Sequence, residues 1–215
     1  MTSLTVRLVD PENETDIARL LDIVHDEAAA EAMDEIDGMD EDDIAEWAED
    51  SLDASEDTSI SDWEIVYAVT PVNSENPIRD NKLEGFVNFY ASREVTRRAT
   101  REAKRLGKPI EHGTPVIEVS MAKWPLSPRG QMSYGLCRAC IEIDRLMARD
   151  PGHTLIVAYI DPANEPSKKA FEKAGFENVG LVYYDLDETN EDLSIDGVLM
   201  FEINWSKLHE FLSSN

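Results

Sequence analysis

Cysteine, basic residues and long apolar runs are all scarce in this chain of 215 residues. Its two cysteines, Cys137 and Cys140, form one C-x-x-C within Leu136–Met147. There Leu136, Cys140, Ile143 and Met147 repeat at the spacing of a core-facing helix. A redox pair needs a low-pKa thiol at a helix start beside a thioredoxin-like turn, and zinc needs four ligands at matching spacings. The sequence offers neither, so both cysteines read as packing residues. His25, His112, His153 and His209 are scattered without metal-ligand spacing, and no nucleophile-elbow motif occurs. No apolar stretch approaches the roughly 20 residues that span a bilayer, and no basic-then-apolar leader opens the chain. A cytoplasmic protein away from membranes is expected.

The shortage of basic residues is the strongest compositional signal. Lys and Arg number 20 against 45 Asp and Glu, a formal net charge of −25. Nucleic-acid binding needs a basic face that releases counterions, so that partner class is excluded. A focused negative field suits cationic small molecules or basic protein segments. Asp26–Asp62 holds seventeen acidic residues, and no Lys or Arg falls between Arg19 and Arg79. Ile44, Trp47, Ala48 and Leu52 keep helical spacing there, so 26–62 is read as an acidic helical segment. Calcium registers fail in it: with Gly38 at the sharp turn, Met33 and Ile44 fall where carboxylates are needed.

What is present is best ordered around Thr154–Tyr184. Thr154–Ile160 is a continuous apolar run of strand length, ended by Asp161-Pro162. Asn164 then caps a short helix, with Pro166 tolerated in its first turn, and Gly175 is placed to end it in a left-handed conformation. A second apolar run follows, so the local chemistry predicts strand, capped helix, glycine stop, strand.

Asn164, Ser167, Phe171, Gly175 and Phe176 fall at the offsets of N-x-x-A-x-x-x-Y-x-x-x-G-F. In this the chain resembles the GNAT superfamily of acyl-CoA-dependent N-acyltransferases, with Ser167 for alanine and Phe171 for tyrosine. The resemblance extends over 114–149 and, more weakly, to the N-terminus. It implies one α/β (α+β) domain over 1–215, with a mixed, mostly antiparallel sheet of seven strands. The fourth and fifth strands are then parallel and splayed, with helices on both faces.

The remaining segments fit that order. Thr5–Val9 reads as a strand, and Asn13 or Thr15 opens a helix carrying Ile17, Leu20, Leu21 and Val24 on one face. Trp63–Val69 and Leu83–Ala91 read as an antiparallel pair. Residues 92–108 carry seven basic side chains against Glu94 and Glu102, with a thin stripe of Val95, Ala99 and Leu106. This is a basic helical insertion relative to the family pattern, suited to an intramolecular, partner or donor-phosphate contact. Thr114–Met121 is the fourth strand. Val179–Leu186 and Gly197–Trp205 are expected to close the sheet, and Ser206–Leu212 to end the chain as a helix.

The resemblance implies transfer of an acetyl group from acetyl-CoA to a primary amine by direct attack. Glu118 stands where histone-acetylating members carry their base. Carbonyl polarisation falls to backbone N–H groups around Ala122, Lys123 and Trp124. Family members cradle the donor's pyrophosphate with R/Q-x-x-G-x-G/A. Here the loop reads Arg129-Gly130-Gln131-Met132-Ser133-Tyr134, followed by Gly135. Met132 and Tyr134 stand where small residues are usual, and a Cβ there crowds the approach of backbone to phosphate. Asn164, Ser167, Lys168 and Phe171 complete the implied donor set. Phe171 has no proton to give, so Tyr134, Tyr183 or Tyr184 is the candidate general acid, or water serves. The expected acceptor is a small amine or lysine-bearing protein, and the expected assembly a monomer or homodimer. The alternative is a non-catalytic binding or regulatory module acting through its acidic surface.

Overall fold

The computed structural model describes residues 3–26, 38–58, 62–72, 83–123, 131–147, 152–183 and 197–214. β1 (Ser3–Leu8) leads to α1 (Glu14–Val24), whose cap Asn13 accepts from the N–H groups of Thr15 and Asp16. α2 (Glu41–Glu56) opens with a capping box, Asp40 and Asp43 each accepting from the other's backbone. Ile44, Trp47 and Ala48 are its buried stripe, while Leu52 is exposed. The Ala28–Met33 part of the acidic segment lies outside the described residues.

β2 (Trp63–Val72), β3 (Gly85–Ala91) and β4 (Val116–Lys123) form an antiparallel run. Between β3 and β4, α3 (Arg93–Arg105) begins at Ser92, whose hydroxyl accepts from the Val95 N–H. The basic stretch is thus a helix, anchored by buried Val95, Ala99 and Ala103. α4 (Met132–Met147) starts four residues ahead of the expected Leu136, because its first turn is already core-facing through Met132 and Ser133.

β5 (Leu155–Ile160) pairs parallel with β4, and α5 (Glu165–Lys173) follows it. β6 (Phe176–Val182) begins three residues before the expected Val179. Glu177 and Asn178 hide its start by interrupting the apolar pattern, and the register shifts between Asn178 and Gly180. β7 (Val198–Ile203) inserts between β5 and β6, giving the order β1-β2-β3-β4-β5-β7-β6, and α6 (Trp205–Ser214) ends the chain. This is the mixed seven-stranded sheet with one parallel pair that the resemblance implies.

The larger core lies on the α4 face, where Tyr67, Phe89, Ile117 and Ile156 meet Leu136, Cys140 and Ile143. On the opposite face two apolar clusters form. Val66, Ala68, Phe86 and Ala122 pack with α1 and α2, and Val116 and Val157 pack with Val95 and Ala99 of α3. Cys137 and Cys140 are buried free thiols, and Cys137 Sγ donates to the Ala174 carbonyl at 3.4 Å, joining α4 to the end of α5. Burial pushes the Cys137 thiol up to about 12 and Cys140 upward in the same direction, so neither is a nucleophile at neutral pH.

Candidate active site

The parallel ladder between β4 and β5 is short. It joins Val116 to Leu155, Ile117 to Ile156 and Glu118 to Val157. Beyond it, β4 stays with β3 as far as Lys123, and β5 stays with β7 through Ile160. The two strands therefore part immediately after Glu118, leaving facing backbone groups that the sheet does not pair. An extended ligand can pair with such edges as an added strand does.

Strand alternation and register fix what surrounds this opening. Glu64 of β2 stands opposite Tyr90 of β3, which stands opposite Glu118 of β4. The next row is Val66, Asn88 and Ser120. A polar strip thus crosses the sheet between the two apolar clusters, its outer carboxylates about 10 Å apart by strand spacing. Asn88, only 2 % exposed, donates through Nδ2 to the Glu64 carboxylate, and its Oδ1 has no hydrogen-bond partner among the described residues. Arg98 of α3 donates to the Glu118 carboxylate and lies 4.5 Å from the Tyr159 ring centroid. Both partners of that ion pair keep 22 % of their side-chain surface exposed, so solvent screens it.

Each of the parting strands leads into a helix, β4 into α4 and β5 into α5. α4 makes its first turn through Tyr134 and Gly135, whose N–H groups both donate to the Gln131 carbonyl at 3.1 and 3.2 Å. The Met132 and Ser133 N–H groups precede these bonds at the helix start, where orphan donors favour anions. The Met132 side chain turns inward from this first turn. It is buried with its sulfur over Gly85, where an added Cβ would lie 2.6 Å from Sδ and 2.5 Å from the Ala122 carbonyl oxygen. Gly135 is a packing glycine: a Cβ there would meet Val69 Cγ1 at 2.6 Å, so α4 lies directly on β2.

At the start of α5 Asn164 Oδ1 accepts from the Ser167 N–H at 3.1 Å, and Gly175 takes φ +93° just past the helix. Lys168 Nζ donates to the Pro162 carbonyl at 2.6 Å and to Glu165 at 2.5 Å. Phe171, also in the implied donor set, packs inward from α5. It is 3 % exposed, with its ring edge-on to Phe176 at 5.0 Å, and belongs to the core.

Among the candidate acids, Tyr134 is half-buried on the first turn of α4, and its hydroxyl accepts from Arg138 Nη2 at 2.8 Å. Tyr183 is exposed just past β6, on the far edge of the sheet two strands from β5. Trp124, Arg129, Gly130 and Tyr184 lie outside the described residues. Groups of three or more residues able to hold a metal ion are absent among the described residues.

No protein-family model matches the sequence, and no curated protein matches it. Solved structures do. AAC(6')-Ib in complex with ribostamycin and coenzyme A shares 21% identity, 96% of each chain and a TM-score of 0.59. A GNAT-family acetyltransferase of Bacillus anthracis shares 15% identity, covers 94% of this chain and 96% of its own, and gives a TM-score of 0.57. The fold is the GNAT fold.

A spermidine N-acetyltransferase SpeG chimera from Vibrio cholerae and hSSAT also shares it, at 15% identity, 96% of this chain, 98% of its own and a TM-score of 0.56. On this GNAT scaffold Glu64, Asn88 and Arg98 were not singled out from sequence as site residues. A lone asparagine inside the apolar Gly85–Ala91 strand is the signal that points to Asn88.

Proposed function

We propose that this chain is an N-acetyltransferase that passes the acetyl group of acetyl-CoA to a primary amine on a cationic small molecule. The observation that carries the reading is the parting of β4 and β5 immediately after Glu118, on the GNAT fold, with each strand leading into a helix. The donor's pantetheine arm pairs with the open strand edges. Its pyrophosphate meets the start of α4 around Gln131–Ser133, together with Arg129 and Gly130. Asn164, Ser167 and Lys168 border the arm.

The acceptor enters over the polar strip. Glu118 takes a proton from the ammonium, and the freed nitrogen attacks the thioester carbonyl carbon. Backbone N–H groups near Ala122 and Lys123 receive the developing oxyanion. The C–S bond then breaks, the nitrogen releases its second proton to water to leave the amide, and the thiolate takes a proton from water or from Tyr134. Glu64, held by Asn88, supplies negative charge one strand beyond Tyr90 and favours an acceptor with a second positive group.

A second reading has a specific observation in its favour. Arg98 already occupies Glu118, and Phe171 buries the position where the family carries its usual acid. A GNAT-fold module without catalysis would look this way. Incubation of the purified chain with acetyl-CoA and a panel of diamines, amino sugars and lysine peptides separates the two, with thiol release and product mass as readouts. Acetyl transfer lost in Glu118→Gln supports the enzyme, and absence of transfer to every acceptor supports the module.

A further inference from the structure

α3 turns a second face to solvent. Arg93, Arg97, Arg101 and Lys104 stand at i, i+4, i+8 and i+11 along it and wall a groove of about 730 Å³. Trp63, Pro115, Val116 and Met147 give the groove an apolar lining, and Thr58 borders it. The groove lies away from the Arg98–Glu118 side of the helix. Arg97 pairs along its own helix with Glu94 and Arg101 with Glu102 at 2.9 Å, while Arg93 and Lys104 meet no carboxylate among the described residues. Seven of the chain's 20 basic residues fall in this one stretch, against a net charge of −25.

The complementary surface is on the same molecule. α2 ends one residue before Asp57, and Thr58 is already at the groove, so the C-terminal end of α2 lies beside it. On α2, Glu49, Leu52, Asp53 and Glu56 stand at i, i+3, i+4 and i+7, all exposed, with Leu52 39% exposed. This face matches the groove in both respects: carboxylates for the basic wall, and one apolar side chain for the lining. Two copies of so acidic a chain repel one another, but at physiological salt that repulsion is screened beyond about 8 Å. Close pairing of opposite charge then decides which faces meet.

We propose that the basic groove of α3 receives the Glu49–Glu56 face of a second copy, in a two-fold dimer. Because each copy carries both surfaces side by side, one rotation satisfies both contacts and closes the assembly. The inference is independent of the acyltransferase reading.

Charge exchange tests it in sedimentation experiments on the full chain at about 0.15 M salt. One variant carries Arg93→Glu and Lys104→Glu, the other Glu49→Lys and Asp53→Lys. All four side chains are exposed, and none belongs to the proposed site. Each variant alone places like charges face to face and is expected to dimerise at least about tenfold more weakly. An equimolar mixture restores opposite charges at both contacts and is expected to return the dimer. Three results overturn the proposal: a wild-type monomer at about 100 μM, a dimer unaffected by either variant, or variants that weaken association without rescue on mixing.

Discussion

Arg98 and Glu118 meet across the sheet's polar strip, a guanidinium from the basic insertion closing on the carboxylate beside the parting of β4 and β5. The same guanidinium covers Tyr159 at 4.5 Å, so α3 reaches to the mouth of the opening. In the proposed mechanism an incoming ammonium takes Arg98's place at Glu118. Arg98→Ala is therefore expected to lower the acceptor KM, while Glu118→Gln lowers kcat by about 10²-fold or more. Steady-state kinetics with the acceptor varied checks both. A higher acceptor KM in Arg98→Ala means that Arg98 holds the acceptor instead of competing with it.

The two thiols make a prediction about alkaline pH. Cys137 has an ordinary value of 9.0 and is raised to about 12 by burial, so the unfolded chain releases its proton first. Its contribution to stability is complete below pH 9 and is lost as pH rises toward 12. Tyr67 is shifted upward by burial too and acts in the same direction. Denaturant midpoints measured across this window are expected to fall steadily. Iodoacetamide is expected to leave both cysteines unmodified in the native state and to label both in denaturant.

Gly135 is held by contact with Val69, where a Cβ would come within 2.6 Å. Gly135→Ala is expected to destabilise the fold by about 1–3 kcal/mol through overpacking. Val69→Ala removes the opposing methyl groups, so the double variant is expected to lose less than the sum of the two. Simple additivity in urea unfolding contradicts direct contact between α4 and β2.

Asn164 caps α5 and, in the proposed mechanism, also contacts the donor, and two substitutions separate these roles. As a cap alone it costs about 1 kcal/mol of stability when changed to Ala, and Asn164→Ser recovers most of that. As a donor contact it also weakens acetyl-CoA binding, and Ser does not restore the lost amide. Thermal melts and donor titrations of both variants tell these apart.

Much of this was legible in the sequence, and for a physical reason. Asn164, Pro166 and Gly175 act within one turn of their own position, so capping and left-handed geometry can be read without knowing the fold. The basic helix was equally local, since Ser92 caps it and Val95 and Ala99 bury one side. The site's partners were not local. Arg98 reaches Glu118 twenty positions away, and Glu64 meets Asn88 twenty-four away, only because β2, β3 and β4 align in one register. The place of the Met132 side chain was not local either: it lies in the core because a glycine on β3 leaves it room. The start of β6 was hidden by Glu177 and Asn178, polar residues that the sheet edge accepts.

The donor site proposed where β4 and β5 part is tested most directly by calorimetric titration of the full chain with acetyl-CoA. One site is expected, with a Kd in the range usual for enzyme substrates, on the order of 10 μM. Asn164→Ala and Arg129→Ala are each expected to weaken that binding by about tenfold while leaving the fold intact. No heat of binding at millimolar donor, with the chain folded, contradicts the donor site and leaves only the scaffold.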